Sequence, residues 1–78
     1  MISFNLGGHE VKIDKEGEDV ILSWGDGFKE KMFLNELRGQ KLVSVGLSEE
    51  TLYIDTPLKT AAISGSPPLW FYNVKERR

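Results

Sequence analysis

The stretch Val20-Ile21-Leu22-Ser23-Trp24-Gly25-Asp26-Gly27-Phe28-Lys29-Glu30-Lys31-Met32 decides the fold class. Val20, Leu22 and Trp24 alternate with Ile21 and Ser23, the period of two that marks a strand with two unlike faces. Phe28, Glu30 and Met32 against Lys29, Lys31 and Phe33 repeat that period after the turn. Between the runs, Asp26-Gly27 supplies a hairpin turn, whose positive φ glycine adopts without the steric cost of a Cβ. The pattern predicts antiparallel pairing of residues 20–24 with residues 28–32. Trp24 and Phe28 then flank the turn and pair across it.

The same rhythm runs outward in both directions. Ile2, Phe4 and Leu6 alternate up to Gly7-Gly8, and Val11 and Ile13 alternate up to a charged loop at residues 15–19. Past Met32 the period changes. Phe33, Leu34 and Leu37 are spaced three and four apart, a helical interval, and Gly39 is a plausible stop. Only one or two turns fit, so a short helical corner is expected there. Leu42, Val43 and Val45 read as a strand, Ser48-Glu49-Glu50-Thr51 as a turn, and Leu52-Tyr53-Ile54-Asp55 as a strand that Thr56-Pro57 ends. Residues 58–63 form one more strand, and Ser64-Gly65-Ser66-Pro67-Pro68 has the composition of a linker or turn. The expected fold is mainly β: a small antiparallel meander or barrel of five or six strands with one short helical corner.

The chain has 78 residues, room for one domain: a β-rich body at 1–66 and an aromatic C-terminal segment at 67–78 that packs on the body or on a partner. A core this small gives roughly 3–5 kcal/mol without staples. With no cysteine there are no disulfides, no thiolate nucleophile and no Cys-ligated zinc, and oligomerisation or tight packing remain as sources of stability. The absent cysteine, the lack of a long apolar run and an N-terminus unlike a signal peptide make the cytoplasm the default compartment, with no membrane partner.

Ten Lys and Arg stand against twelve Asp and Glu, a net charge of −2. Nucleic-acid binding normally rests on a basic excess, so nucleic acid is disfavoured as a partner. The acidity gathers around residues 10–26 and reads as a solvated hairpin face. His9 is the sole histidine, which excludes a His-based metal cluster, and no neighbouring pattern makes it a catalytic base. The carboxylates lie in turns and in water, without the burial that tunes an acid–base pair. Gly7-Gly8 and Gly25-x-Gly27 precede no helix and make no phosphate cradle. No catalytic residue, metal or cofactor is expected, and the chain is read as a non-enzyme.

Trp70-Phe71-Tyr72 is the most informative group. Neighbouring side chains on a strand point to opposite faces, so three consecutive rings cannot share one side. Either the segment is a strand buried on both faces, or a partner covers one of them. Aromatic residues are enriched at interface hot spots, which makes Trp70, Phe71 and Tyr72 the candidate partner-binding residues.

Leu22-Ser23-Trp24-Gly25-Asp26-Gly27, with Phe33-Leu34 and Leu37-Arg38, resembles the Trp-x-Asp-Gly hairpin and Leu-Arg corner of the γ-butyrobetaine-hydroxylase-like N-terminal domain. The resemblance covers about residues 11–38 and implies a β-rich accessory or interaction module. That family continues with cysteines able to hold zinc, whereas this chain has Gly39-Gln40-Lys41, so no zinc role is implied. The expected function is a non-enzymatic protein-interaction or assembly domain that self-associates through its aromatic tail or an open strand edge, as in a small phage or accessory regulatory protein. The alternative is a weak single-stranded nucleic-acid binder, with Trp24, Phe28, Lys29, Lys31 and Tyr53 as a stacking platform.

Overall fold

The computed structural model describes residues 2–66 and 69–77. Eight strands follow one another: β1 Ile2–Leu6, β2 His9–Glu16, β3 Asp19–Trp24, β4 Glu30–Phe33, β5 Ser44–Ser48, β6 Thr51–Asp55, β7 Lys59–Ser66 and β8 Leu69–Glu76. They make two four-stranded antiparallel sheets in the orders β1-β2-β3-β4 and β5-β6-β7-β8. The expected mainly β, antiparallel class holds. Among the described residues the strand number is eight rather than five or six, and the strands form two sheets with no closed barrel.

Lateral rows explain the core. Ile2, Ile13, Leu22 and Met32 lie side by side across the first sheet, and Leu47, Leu52, Ile63 and Tyr72 across the second. Residues directly opposite in an antiparallel pair share a face, so each row presents one apolar strip. Val11, Ile13, Val20 and Leu22 from the first sheet join Leu52, Ile54, Ala61 and Ile63 from the second in one buried cluster. Fully burying each of the valine, leucine and isoleucine side chains among them stabilises by about 1.5–3 kcal/mol. Trp24 and Trp70 meet edge to face across the two sheets, with ring centroids 5.4 Å apart.

The central hairpin keeps the expected faces but not the expected register. Trp24 lies opposite Glu30 and Leu22 opposite Met32, a slip of two residues from a pairing of Trp24 with Phe28. Gly25 to Lys29 form a five-residue connection with a single 3₁₀ turn at Asp26–Phe28. Phe28 therefore lies in the turn at φ 56°, uncommon for a bulky residue. Its ring stacks under the Lys12 ammonium, 4.7 Å from the centroid, rather than on Trp24.

The helical corner is one 3₁₀ turn, Asn35–Leu37. Leu34 and Leu37 are fully buried and close one end of the core. The corner is laced to β3 by Leu34 N–H to the Val20 carbonyl (2.8 Å), Gly39 N–H to the Glu18 carbonyl (2.9 Å) and Arg38 Nε to Asp19 Oδ1 (2.9 Å). Leu42 and Val43 precede β5 rather than belonging to it. The turn expected at residues 48–51 is present, with Glu49 and Glu50 both at positive φ as a type I′ hairpin requires.

Ser64, Gly65 and Ser66 are the last residues of β7, not a linker, while Pro67 and Pro68 lie outside the described residues. The lack of a side chain at Gly65 and at Gly7 has a packing cause. A Cβ at Gly65 would come within 2.6 Å of the Leu69 carbonyl oxygen, and one at Gly7 within 2.6 Å of the Ser66 Cβ. Gly7 thus lets the β1–β2 turn approach the end of β7, joining the two sheets at that point. The chain's far end is tied down as well. Arg77 N–H donates to the Leu58 carbonyl (2.7 Å) and Arg77 Nη1 to the Thr56 carbonyl (2.8 Å).

Candidate interaction surface

β8 resolves the three-ring problem by splitting the rings. Trp70, Tyr72 and Val74 turn inward and pack against the core, while Leu69, Phe71, Asn73 and Lys75 point outward. Leu69 is 78% exposed and Phe71 73%. Of Trp70, Phe71 and Tyr72, the first and third turn to the inner face, where they are partly buried, and Phe71 stands exposed on the outer one.

The inward rings are imperfectly paired. Neither Trp70 Nε1 nor Tyr72 Oη has a hydrogen-bond partner among the described residues, although both atoms are sealed from solvent. Burial pushes the Tyr72 hydroxyl up to about 12, and the Glu36 carboxylate adds to the rise. Removing water from the phenolate disfavours the charged form, and a nearby negative charge acts in the same direction.

Pairing places the outer face of the second sheet in three lateral rows. Ser44, Asp55, Thr60 and Lys75 form the first, Gly46, Tyr53, Ala62 and Asn73 the second, and Ser48, Thr51, Ser64 and Phe71 the third. Leu69 lies beyond them, opposite Ser66. Most of these side chains are small or hydroxylic, so Tyr53 (41% exposed), Phe71 and Leu69 rise from a low floor. Charge is confined to the first row. There Asp55 accepts hydrogen bonds from Ser44 Oγ (2.9 Å) and Thr60 Oγ1 (3.0 Å). Sequence reasoning named Phe71 but missed Leu69 and Tyr53 as its companions. The available signal was the run of small residues at alternate positions 60, 62, 64 and 66.

Elsewhere, the β1–β2 turn and the 25–29 connection enclose an open cavity of about 370 Å³, lined by His9, Glu10, Asp26, Phe28 and the glycines beside them. The β2–β3 register brings them together, since Val11 opposite Trp24 sets residues 8–10 beside residues 25–28. Among the described residues no group of three or more His, Cys, Asp or Glu side chains is arranged to hold a metal ion. No helix among them is long and apolar enough to cross a membrane. The residues of the nucleic-acid alternative are scattered: Trp24 packs inward, Lys31 lies on the outer face of the first sheet and Tyr53 on that of the second. Comparison with protein-family models, with curated proteins and with solved structures finds no match to the chain.

Proposed function

We propose that this protein is a non-enzymatic interaction module that self-associates through the outer face of its second sheet. One observation carries the reading: Leu69 and Phe71, 78% and 73% exposed, stand with Tyr53 on a face whose paired strand positions, among the described residues, hold just two charges, Asp55 and Lys75. Leu69 and Phe71 are neighbours on one face of β8, and exposed apolar side chains gathered on a nearly uncharged surface mark contact sites. A second copy is the occupant that the charges favour, because a face with one acid and one base does not repel itself. Pairing the exposed edge of β8 with another strand would leave Leu69 and Phe71 in water, since side chains stand perpendicular to the sheet. The face, rather than the edge, is the contact. A cysteine-free chain suits the reducing cytoplasm. The resemblance at residues 11–38 to an accessory module agrees with a binding role.

The contact is a small one. Four strands about 4.8 Å apart and roughly six residues long, at about 3.4 Å each, cover roughly 400 Å² per copy in projection. A standard interface takes about 800 Å² per partner. Association in the micromolar range is expected. Amide NMR spectra recorded over a dilution series test this. Concentration-dependent shifts are expected at Tyr53, Ala62, Ser64 and Phe71, and shifts confined to the first sheet would overturn the assignment.

A further inference from the structure

The outer face of the second sheet also selects how two copies meet. A contact between identical faces is isologous, built on a two-fold axis lying in the contact plane. With the strands of the two copies aligned, as in β-sandwiches, that axis runs either across the strands or along them, and the charged row decides between the two. An axis across the strands superposes the first row on the third. It lays Lys75 over Phe71 of the second copy and Asp55 over Thr51 of the second copy, burying both charges without a counter-charge, which is costly. An axis along the strands keeps each row on its own counterpart.

We infer that the protein forms a face-to-face dimer whose two-fold axis runs along the strands between β6 and β7, seating Lys75 of each copy on the Ser44–Asp55 pair of the other. This rests on the self-association proposed above and specifies its geometry. With that axis, β6 lies over β7 and β5 over β8 of the second copy, aligned as sheets pack in sandwiches. Tyr53 then settles on Ala62 of the second copy, and Phe71 on Ser48 of the second copy, large against small in both places. Asn73 meets Gly46 of the second copy, where even an added Cβ would find nothing within 4 Å in the free chain. The Lys75 ammonium arrives over Ser44, whose hydroxyl already donates to Asp55 Oδ2 (2.9 Å). The carboxylate that receives the cation is thus held in place beforehand. Among the described residues the Lys75 side chain makes no hydrogen bond or ion pair within its own chain.

Charge exchange tests the geometry. Lys75→Glu sets acid against Asp55 of the second copy, and Asp55→Lys sets base against Lys75, so each variant alone is expected to dimerise at least about tenfold more weakly than the unmodified chain. An equimolar mixture of the two restores opposite charges at both contacts. It should recover dimer in sedimentation velocity at low salt, with the gain lost at high salt. Circular dichroism checks that each variant is folded. If Asp55→Lys is not, because Asp55 supports Ser44 and Thr60, then Ser44→Lys replaces it, and its mixture with Lys75→Glu has the same expected recovery. An unmodified chain that dimerises while Lys75→Glu dimerises equally well overturns this geometry and leaves self-association standing. An unmodified chain that stays monomeric overturns both.

Discussion

The two sheets have the same inner chemistry and opposite outer chemistry. Each is a four-stranded antiparallel meander whose inner residues join one apolar cluster. On the outside, the strands of the first sheet carry Glu10, Lys12, Asp14, Glu16, Asp19 and Lys31, with Lys31 and Glu16 forming an ion pair at 3.5 Å. Its outer aromatic residues have duties within the chain. Phe33 lies opposite Ile21, which is buried despite facing outward, and Phe28 stacks under Lys12. Among the described residues, the paired strand positions on the outer face of the second sheet carry two charges, Asp55 and Lys75, and the Phe71 ring stands there with nearly three quarters of its surface in water. The first sheet surrounds its exposed ring, Phe33 at 48%, with charge, whereas the second leaves Phe71 and Leu69 on a nearly uncharged face, and this difference is the basis of the functional reading.

The largest expected effect tests the shared half of the comparison. Leu22→Ala in the first sheet and Ile63→Ala in the second each remove a fully buried side chain and should each cost about 2–5 kcal/mol. Thermal or urea unfolding should show the two losses in one transition, because the cluster is common to both sheets. Two separate transitions would divide the molecule where the core says it is whole.

A smaller effect tests the difference. Phe33→Ser uncovers Ile21 and should cost about 0.5–1 kcal/mol. Phe71→Ser removes a ring that covers little and should change the stability of the dilute monomer by no more than about 0.5 kcal/mol. Equal losses at the two sites would show that Phe71, too, serves its own chain.

The smallest effect belongs to Tyr72. In the folded protein its pKa, about 12, lies above the ordinary tyrosine value of 10.0. The stability linked to its neutral form is therefore complete below about pH 10 and is lost as pH rises from there through about 12. Tyr72→Phe should remove this alkaline loss. At neutral pH it should be neutral or mildly stabilising, since it deletes a buried hydroxyl that has no partner. Denaturant unfolding at pH 7 and pH 11, with and without the substitution, measures both.

How much of this was legible in the sequence follows from what alternation encodes. Period two assigns each residue to a face, and the inner rows through Leu22 and Ile63 follow from it. It does not encode register. The central hairpin slipped by two residues, which leaves every face unchanged and so leaves no trace in the pattern. Asp26-Gly27 marks a turn but fits a tight hairpin and a five-residue connection equally well. Residues 64–66 looked like a linker because small polar residues are the usual sign of one. Here Gly65 lacks a side chain because the Leu69 carbonyl comes close to it, and Gly7 lets the β1–β2 turn reach Ser66, contacts separated too far along the chain or too dependent on folding for composition to reveal. Of the candidate surface, the three-ring argument correctly required two faces for residues 70–72. Which face received two rings was decided by the β7–β8 register.

The most direct test of the central claim is sedimentation equilibrium of the unmodified chain across concentrations from about 1 µM to 1 mM, the range bracketing micromolar association. The expected weight-average mass rises from that of one chain towards that of two, and Phe71→Glu holds it at one chain throughout while the protein remains folded. A mass of one chain at every concentration for the unmodified protein would contradict the reading of the second sheet as a surface for its own copy.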